Sequence, residues 1–274
     1  GLFNNQPMGF YSLDALGRDA QRNGVAIRLP DVNASDVWCT VEPRGHAPGA
    51  GHAPGAVRVG LGFVRHWSKE TATATVLERE RPGGGPYRSV GDFVRRAPPG
   101  LKRTAIEALV WVGGCDGFGL TRRELLWQVG LWLPPKAEQS GDGRGRRQLE
   151  LALDHPHEHL RFGGLAAHER LLAEYATLGF SAGGHPLSLV REALPPGIVP
   201  SDKLAAREHG APIEVAGLVV ARQRPETAKG FVFVLLEDEA GMSNVIVRPD
   251  VYERCRAAVR GEPFLWVHGT LAKD

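Results

Sequence analysis

The chain has 274 residues, 42% of them hydrophobic and 23% charged, which leaves room for two or three domains with proper cores and excludes a disordered or fibrous class. No apolar run reaches membrane-spanning length and no secretory leader opens the chain, so the expected compartment is the cytoplasm and no membrane is an expected partner. The net charge of +2 is unevenly spread: Val57 to Trp127 carries twelve Lys/Arg against seven Asp/Glu, and Ala211 to Asp274 eight against nine, so phosphate contacts are expected first in the middle of the chain.

In chain order, Ser12 is a suitable N-cap for a helix that puts Leu13, Leu16 and Ala20 on one side and ends at Gly24. Gly45 to Ala56 is GHAPGA written twice, a linker composition in which His46 and His52 recur only with the repeat. Leu101, Ala105, Ile106, Leu109 and Val112 share a helical face that stops at Gly113-Gly114, and Thr121 to Glu124 has the capping-box pattern of a further helix. Arg122 and Arg123 fall in its first turn, against the helix dipole, where cations fit best when they face an anion. After a second linker-like stretch, His155, His157 and His159 alternate, but nothing nearby completes a metal set and none is assigned. Leu171, Leu172, Tyr175 and Leu178 then mark a helix closed by Gly179. Cys39, Cys115 and Cys255, far apart and odd in number, read as reduced buried thiols rather than a disulfide frame or zinc site.

From Ile213 onward the period changes to two. An apolar run over Val215, Leu218 and Val220 leads into a basic loop, Arg222 to Lys229. Phe231, Phe233 and Leu235 alternate on the next strand and are expected to fill the core. Glu239-Ala240-Gly241 is expected to close a tight turn in which Gly241 can take positive φ without steric cost, followed by a strand through Val245 and Val247. Pro249 opens a helix with Val251, Tyr252, Cys255 and Val259 on one face, and Phe264 to Leu271 gives a fourth strand. Strand, basic loop, strand, turn, strand, helix, strand is the order of an OB-fold whose fifth strand is missing, a barrel that commonly binds single-stranded nucleic acid.

The wording of VAGLVVARQRPETAKGFVFVLLEDEAG and NVIVRPDVYERCR closely resembles the OB domain of bacterial DNA polymerase III alpha subunits, and ARQRP and TAKG are similar to their error-prone, damage-induced branch. QPMGFYS and PDVNAS are similar to the end of that family's fingers region. The stretch VRVGLGFVRHWSKETATATVLERERPGGGPYRSVGDFV resembles the first half of its tandem helix-hairpin-helix module, and LAEYATLGFSAGGHPL its connector to the OB domain. At the first hairpin, Arg65-His66-Trp67-Ser68, the family usually has glycine at 66 and 68, which puts close backbone approach to a phosphate in doubt there. QLELAL matches the hexapeptide with which bacterial polymerases engage a sliding clamp, placing Gln148, Leu149, Leu151 and Leu153 in an apolar groove.

The resemblance implies a multidomain α+β chain: the end of the fingers region at 1–43, a linker at 44–56, tandem helix-hairpin-helix motifs at 57–132, a linker at 133–164, a helical connector at 165–210 and a truncated OB-fold at 211–274. It implies a DNA-binding C-terminal portion of an error-prone polymerase serving translesion synthesis and DNA repair. Expected partners are primer-template DNA, single-stranded template, the sliding clamp and damage-response accessory proteins. Gly113, Gly114, Arg122, Arg123 and Arg65 are the expected duplex contacts; Arg222, Arg224 and Lys229 are the expected single-strand contacts. Opening at Gly1 without Met, the chain is expected to be a fragment without the palm carboxylates that hold magnesium, so no catalytic residue and no cofactor are assigned to it and it is expected to be inactive alone. A free-standing adapter that binds single-stranded DNA or RNA is the alternative, and a generic OB barrel of another cargo also fits the strand pattern.

Overall fold

The computed structural model describes residues 1–6, 12–43, 55–133 and 160–273. The clamp-like hexapeptide with Gln148, Leu149, Leu151 and Leu153, the three alternating histidines and most of the GHAPGA repeat lie outside the described residues. The chain divides into two compact units, Gly1–Ala182 and Gly183–Asp274.

The first unit is mainly helical. Helix α1 (Leu13–Arg22) begins where the Ser12 hydroxyl accepts from the Ala15 N–H at 3.1 Å, and Gly24 after it takes φ 79°. Strands β1 (Ala26–Arg28), β2 (Thr40–Glu42) and β3 (Ala56–Arg58) form one small sheet in the order β1-β3-β2, with β1 and β3 parallel and β2 and β3 antiparallel. Residues 26–42 and 56–58 are therefore parts of one structure across the expected linker. Glu42 fastens this sheet by receiving Arg58 at 2.7 Å and Arg28 at 2.5 Å, and the Arg58 hydrogen bond holds its carboxyl below the ordinary range.

Five helices follow: α2 (Lys69–Glu80), α3 (Val90–Arg96), α4 (Arg103–Trp111), α5 (Arg122–Trp132) and α6 (Ala167–Leu178). Ser68 and Ser89 cap α2 and α3 through the N–H groups of Thr71 and Asp92. The capping box expected at α5 is present in both halves, with Thr121 and Glu124 exchanging hydrogen bonds. Their apolar stripes meet in a core that includes Leu61, Phe93, Ile106, Leu109 and Leu125. Trp67 stacks parallel to Phe93, and its indole N–H donates to the Ala105 carbonyl at 2.8 Å, so the first hairpin is tied to α4. Helix α6 belongs to this unit: Tyr175 Oη lies 3.1 Å from the Asp14 carboxylate and is hydrogen-bonded to Arg18. The expected connector of 165–210 is thus divided between the two units. Cys115 is buried, and burial pushes its thiol pKa up; Cys255 is exposed rather than on the packed face expected for it.

The second unit is a curled antiparallel sheet, β6-β5-β4-β7, formed by β4 (Pro212–Gln223), β5 (Val232–Glu237), β6 (Met242–Val247) and β7 (Phe264–Thr270). The long strand β4 is shared: residues 212–218 pair with β7 and residues 218–223 with β5. The β5-paired half carries a bulge between Val219 and Ala221, just past the crossover, and bulges sharpen strand twist and bend. Gly217 sits at the crossover, where a Cβ would meet the Glu237 carbonyl oxygen at 2.8 Å. Between β6 and β7 the chain forms α7 (Pro249–Arg254) and α8 (Arg256–Gly261), two short helices parted at Cys255 where one was expected. This order is compatible with the expected OB-fold.

Two expectations fail in this unit. The core face of β5 is Val232, Val234 and Leu236, packed with Val215, Val247, Tyr252 and Val259. Phe233 is 39% exposed on the other face, and Phe231 and Leu235 are only half-buried. Period two fixes which residues share a face without saying which face is inside, and here the β-branched side went in. The β5–β6 turn is not made by a glycine at positive φ; Asp238 closes it, its carboxylate accepting the N–H groups of Ala240 and Gly241 at 2.9 and 2.8 Å and the Ser201 N–H at 2.7 Å. The left-handed positions are instead Lys229 and Gly230, at φ 49° and 89° in the preceding loop.

Candidate nucleic-acid interface

In the first unit the hairpin before α2 carries Arg65, His66 and Lys69, all exposed. His66 takes φ 69°, the left-handed conformation that glycine favours, at the position where the resemblance leads glycine to be expected. The Arg65 N–H donates to the Thr177 carbonyl at 3.0 Å and its guanidinium to the Ala176 carbonyl at 3.4 Å, anchoring the hairpin on the end of α6. Lys69 Nζ lies 4.4 Å from the Trp38 ring centroid. At the start of α2 the Thr71 N–H is taken by the Ser68 hydroxyl at 3.1 Å, and the Glu70 carboxylate, held below its ordinary pKa first by its own backbone N–H, stands in the same turn beside Lys69.

The second hairpin is arranged differently from the expectation. The N–H groups of Gly113 and Gly114 both return to α4, to Val110 and Leu109 carbonyls at 3.0 and 2.8 Å, so they cap a helix rather than cradle a phosphate. Arg122 is folded back, with Nε and Nη2 on the Asp116 carboxylate at 3.0 and 2.9 Å and Nη1 on the Trp111 carbonyl at 3.0 Å. Its side chain is 10% exposed, and it latches the hairpin. Arg123 is 44% exposed and pairs with Glu169 at 2.6 Å. Glu124, whose carboxylate accepts from Thr121 and from the Phe162 N–H at 3.2 Å, has its pKa lowered by the Thr121 backbone hydrogen bond first.

In the second unit the three expected cations separate. Arg222 lies within β4 on the core side, donating through Nε to the Val259 carbonyl at 2.7 Å and through Nη2 to the Glu262 carbonyl, so it pins α8 to the sheet. Arg224 stands over the Tyr252 ring at 4.5 Å, on the same side. Lys229 remains exposed in the loop. Sequence reasoning missed the outer face. Phe233 is paired between Gln223 and Ile246, Trp266 lies opposite Ala216, and Phe264 opposite Leu218, all on the side away from the core. Ile246, Trp266 and Phe264 are 58%, 50% and 41% exposed, more than an isolated apolar residue needs explained. Trp266 is oriented by its indole N–H on Glu214 at 3.0 Å and by the His268 ring 5.1 Å away. The signal available for this face was the alternation within β5 and β7, where Phe233, Phe264 and Trp266 take the positions between the aliphatic core residues.

A helix-hairpin-helix motif matches residues 24–125, the sheet and the first four of the five helices after it up to Leu125. Proteins named error-prone DNA polymerase align along essentially the whole chain. That of Anaeromyxobacter sp. (strain K) is 41% identical over 281 residues, covering 100% of this chain and 23% of the relative. That of Azoarcus sp. (strain BH72) is 38% identical over 276 residues, covering 100% and 24%; that of Pseudomonas aeruginosa PAO1 is 38% identical over 271 residues, covering 98% and 24%. The chain spans about a quarter of the length of these relatives. It is a homologue, along its whole length, of part of the bacterial error-prone DNA polymerases, with a helix-hairpin-helix motif consistent with the C-terminal part of a polymerase III alpha-type protein.

Proposed function

We propose that the chain is the DNA-handling, C-terminal portion of an error-prone polymerase that copies damaged template in the cytoplasm during DNA repair. The similarity to error-prone polymerases over the full chain carries this reading. The first unit contacts duplex DNA behind the primer terminus, through the cations around the first hairpin and the start of α2 rather than through Gly113, Gly114 and Arg122. The second unit, read as an OB-fold, holds single-stranded template: Phe233 and Ile246 offer stacking and apolar contact, and Lys229 a phosphate contact beside them. Nucleotidyl transfer, with magnesium and its carboxylates, belongs to the rest of the polymerase. Clamp contact through Gln148, Leu149, Leu151 and Leu153, and accessory proteins, complete the proposal.

The test is a chimera. Replacing the corresponding segment of the P. aeruginosa enzyme with this chain is expected to preserve primer extension on a damaged template, whereas deletion of the segment abolishes it. A chimera that folds but does no better than the deletion would refute the assignment.

A further inference from the structure

Beside the end of β4 lies a cleft of about 370 Å³ whose wall is cationic. Arg222, Arg224, Arg256 and Arg260 line it together with Gln223 and Tyr252, and no carboxylate does among the described residues. Arg222 and Arg224 are two apart at the end of an extended strand and so lie on one side; Arg256 and Arg260 are four apart on α8 and so lie on one face. Arg222 is fixed by its two carbonyl acceptors and Arg224 by the Tyr252 ring, which leaves half the charge held in place without an ordering cost on binding. Arg256 and Arg260 are exposed and, among the described residues, make no ion pair. Other surface arginines of the same helical pair, Arg248 and Arg254, do have a carboxylate, Asp250, within 3.6 and 3.8 Å. Four guanidinium groups converging without a counter-charge repel one another, and an anion in the cleft reverses that.

We propose that this cleft is a phosphate site, sized for one nucleotide unit, distinct from the outer aromatic face of the sheet. Guanidinium forks match phosphate oxygens in pairs, and the cleft volume falls in the range of small-ligand sites. The same chemistry is offered by a backbone phosphate of single-stranded DNA and by a free polyphosphate such as the pyrophosphate released by nucleotidyl transfer. The first source rests on the single-strand reading of this unit; the second does not.

The test uses the full chain, its R256Q/R260Q variant and the charge-matched R248Q/R254Q control, with melting curves to confirm that all three fold. Oligo-dT affinity is measured against salt by fluorescence anisotropy, and inorganic pyrophosphate binding by calorimetry. R256Q/R260Q is expected to weaken oligo-dT binding about tenfold and to lower the log–log salt slope by about 1.4, the value for two single-strand phosphate contacts, while the control changes little. If oligo-dT does not bind the wild-type chain, or binds without this difference, selective loss of pyrophosphate binding in R256Q/R260Q supports the site with a free polyphosphate as its ligand. If neither ligand distinguishes R256Q/R260Q from R248Q/R254Q, the cleft is only part of a diffuse positive surface and the proposal is wrong.

Discussion

Arg122 lies directly across Gly113. A Cβ on Gly113 would fall 2.2 Å from Arg122 Nη2 and 2.8 Å from Asp116 Oδ2, and the glycine also holds φ 92°. Bare backbone at 113 is what lets the guanidinium reach Asp116 and the end of α4. Arg122→Ala is therefore expected to cost stability, about 1 to 3 kcal/mol for a charge-assisted hydrogen-bonded group, and to leave the salt slope of duplex binding unchanged. Gly113→Ala is expected to do at least as much damage. Thermal melts and anisotropy on the same samples check this; an R122A variant that melts like wild type but has a flatter salt slope would make Arg122 a phosphate contact after all.

The two faces of β5 give an opposed pair. Leu236 is 1% exposed in the core of the second unit, and Leu236→Ala is expected to cost about 2 to 5 kcal/mol of stability. Phe233→Ala, on the outer face, is expected to leave the melt nearly unchanged and to cost about 1 to 3 kcal/mol of oligo-dT affinity. A large stability loss at Phe233 would mean that this face is covered.

Acid should loosen the α5 start. The Glu124 pKa is lower folded than its ordinary 4.5, because the ionised form accepts the Thr121 and Phe162 N–H groups. Its contribution is fully present above the unfolded value and is lost as pH falls through the folded one. Glu124→Gln is expected to reduce stability at pH 7 and to make the remaining stability less steep below pH 4.5. Parallel melting curves from pH 7 to pH 3 for wild type and variant, keeping a constant offset, would show that Glu124 is not the titrating group.

Tyr175 sets an alkaline limit of opposite kind. Burial, first, raises its hydroxyl from 10.0 to about 12, so the neutral phenol is the folded form. The stability this gives is complete below 10 and declines as pH rises toward 12. Tyr175→Phe is expected to remove the highest-pH step of the tyrosinate absorbance titration; persistence of that step would assign it to another tyrosine.

Helix starts were legible because caps are local: Ser12 and the Thr121–Glu124 box each act within four residues of themselves. Strand order in the second unit was legible for the same reason, through periodicity and a proline at the first turn of α7. Facing was not. Phe233 and Val234 differ by one position, and which of them is inside is decided by α7 and α8 packing Tyr252 and Val259 over the valines, a long-range event. Charge was misleading for a related reason. Arg122 and Arg222 stand in basic stretches, yet the first is held by Asp116 and the Trp111 carbonyl and the second by the Val259 and Glu262 carbonyls, while Arg256 and Arg260 make no ion pair among the described residues.

The measurement that bears most directly on two DNA surfaces in one chain is equilibrium binding of the full chain to a primer-template duplex and to oligo-dT, with Arg65→Ala/Lys69→Ala and Phe233→Ala as the paired variants. The account expects the first variant to weaken duplex binding uniformly across sequences, lowering the salt slope by about 1 to 2, and to spare oligo-dT, and the second to do the reverse. Equal losses on both ligands from either variant, or wild-type binding to neither, would contradict it.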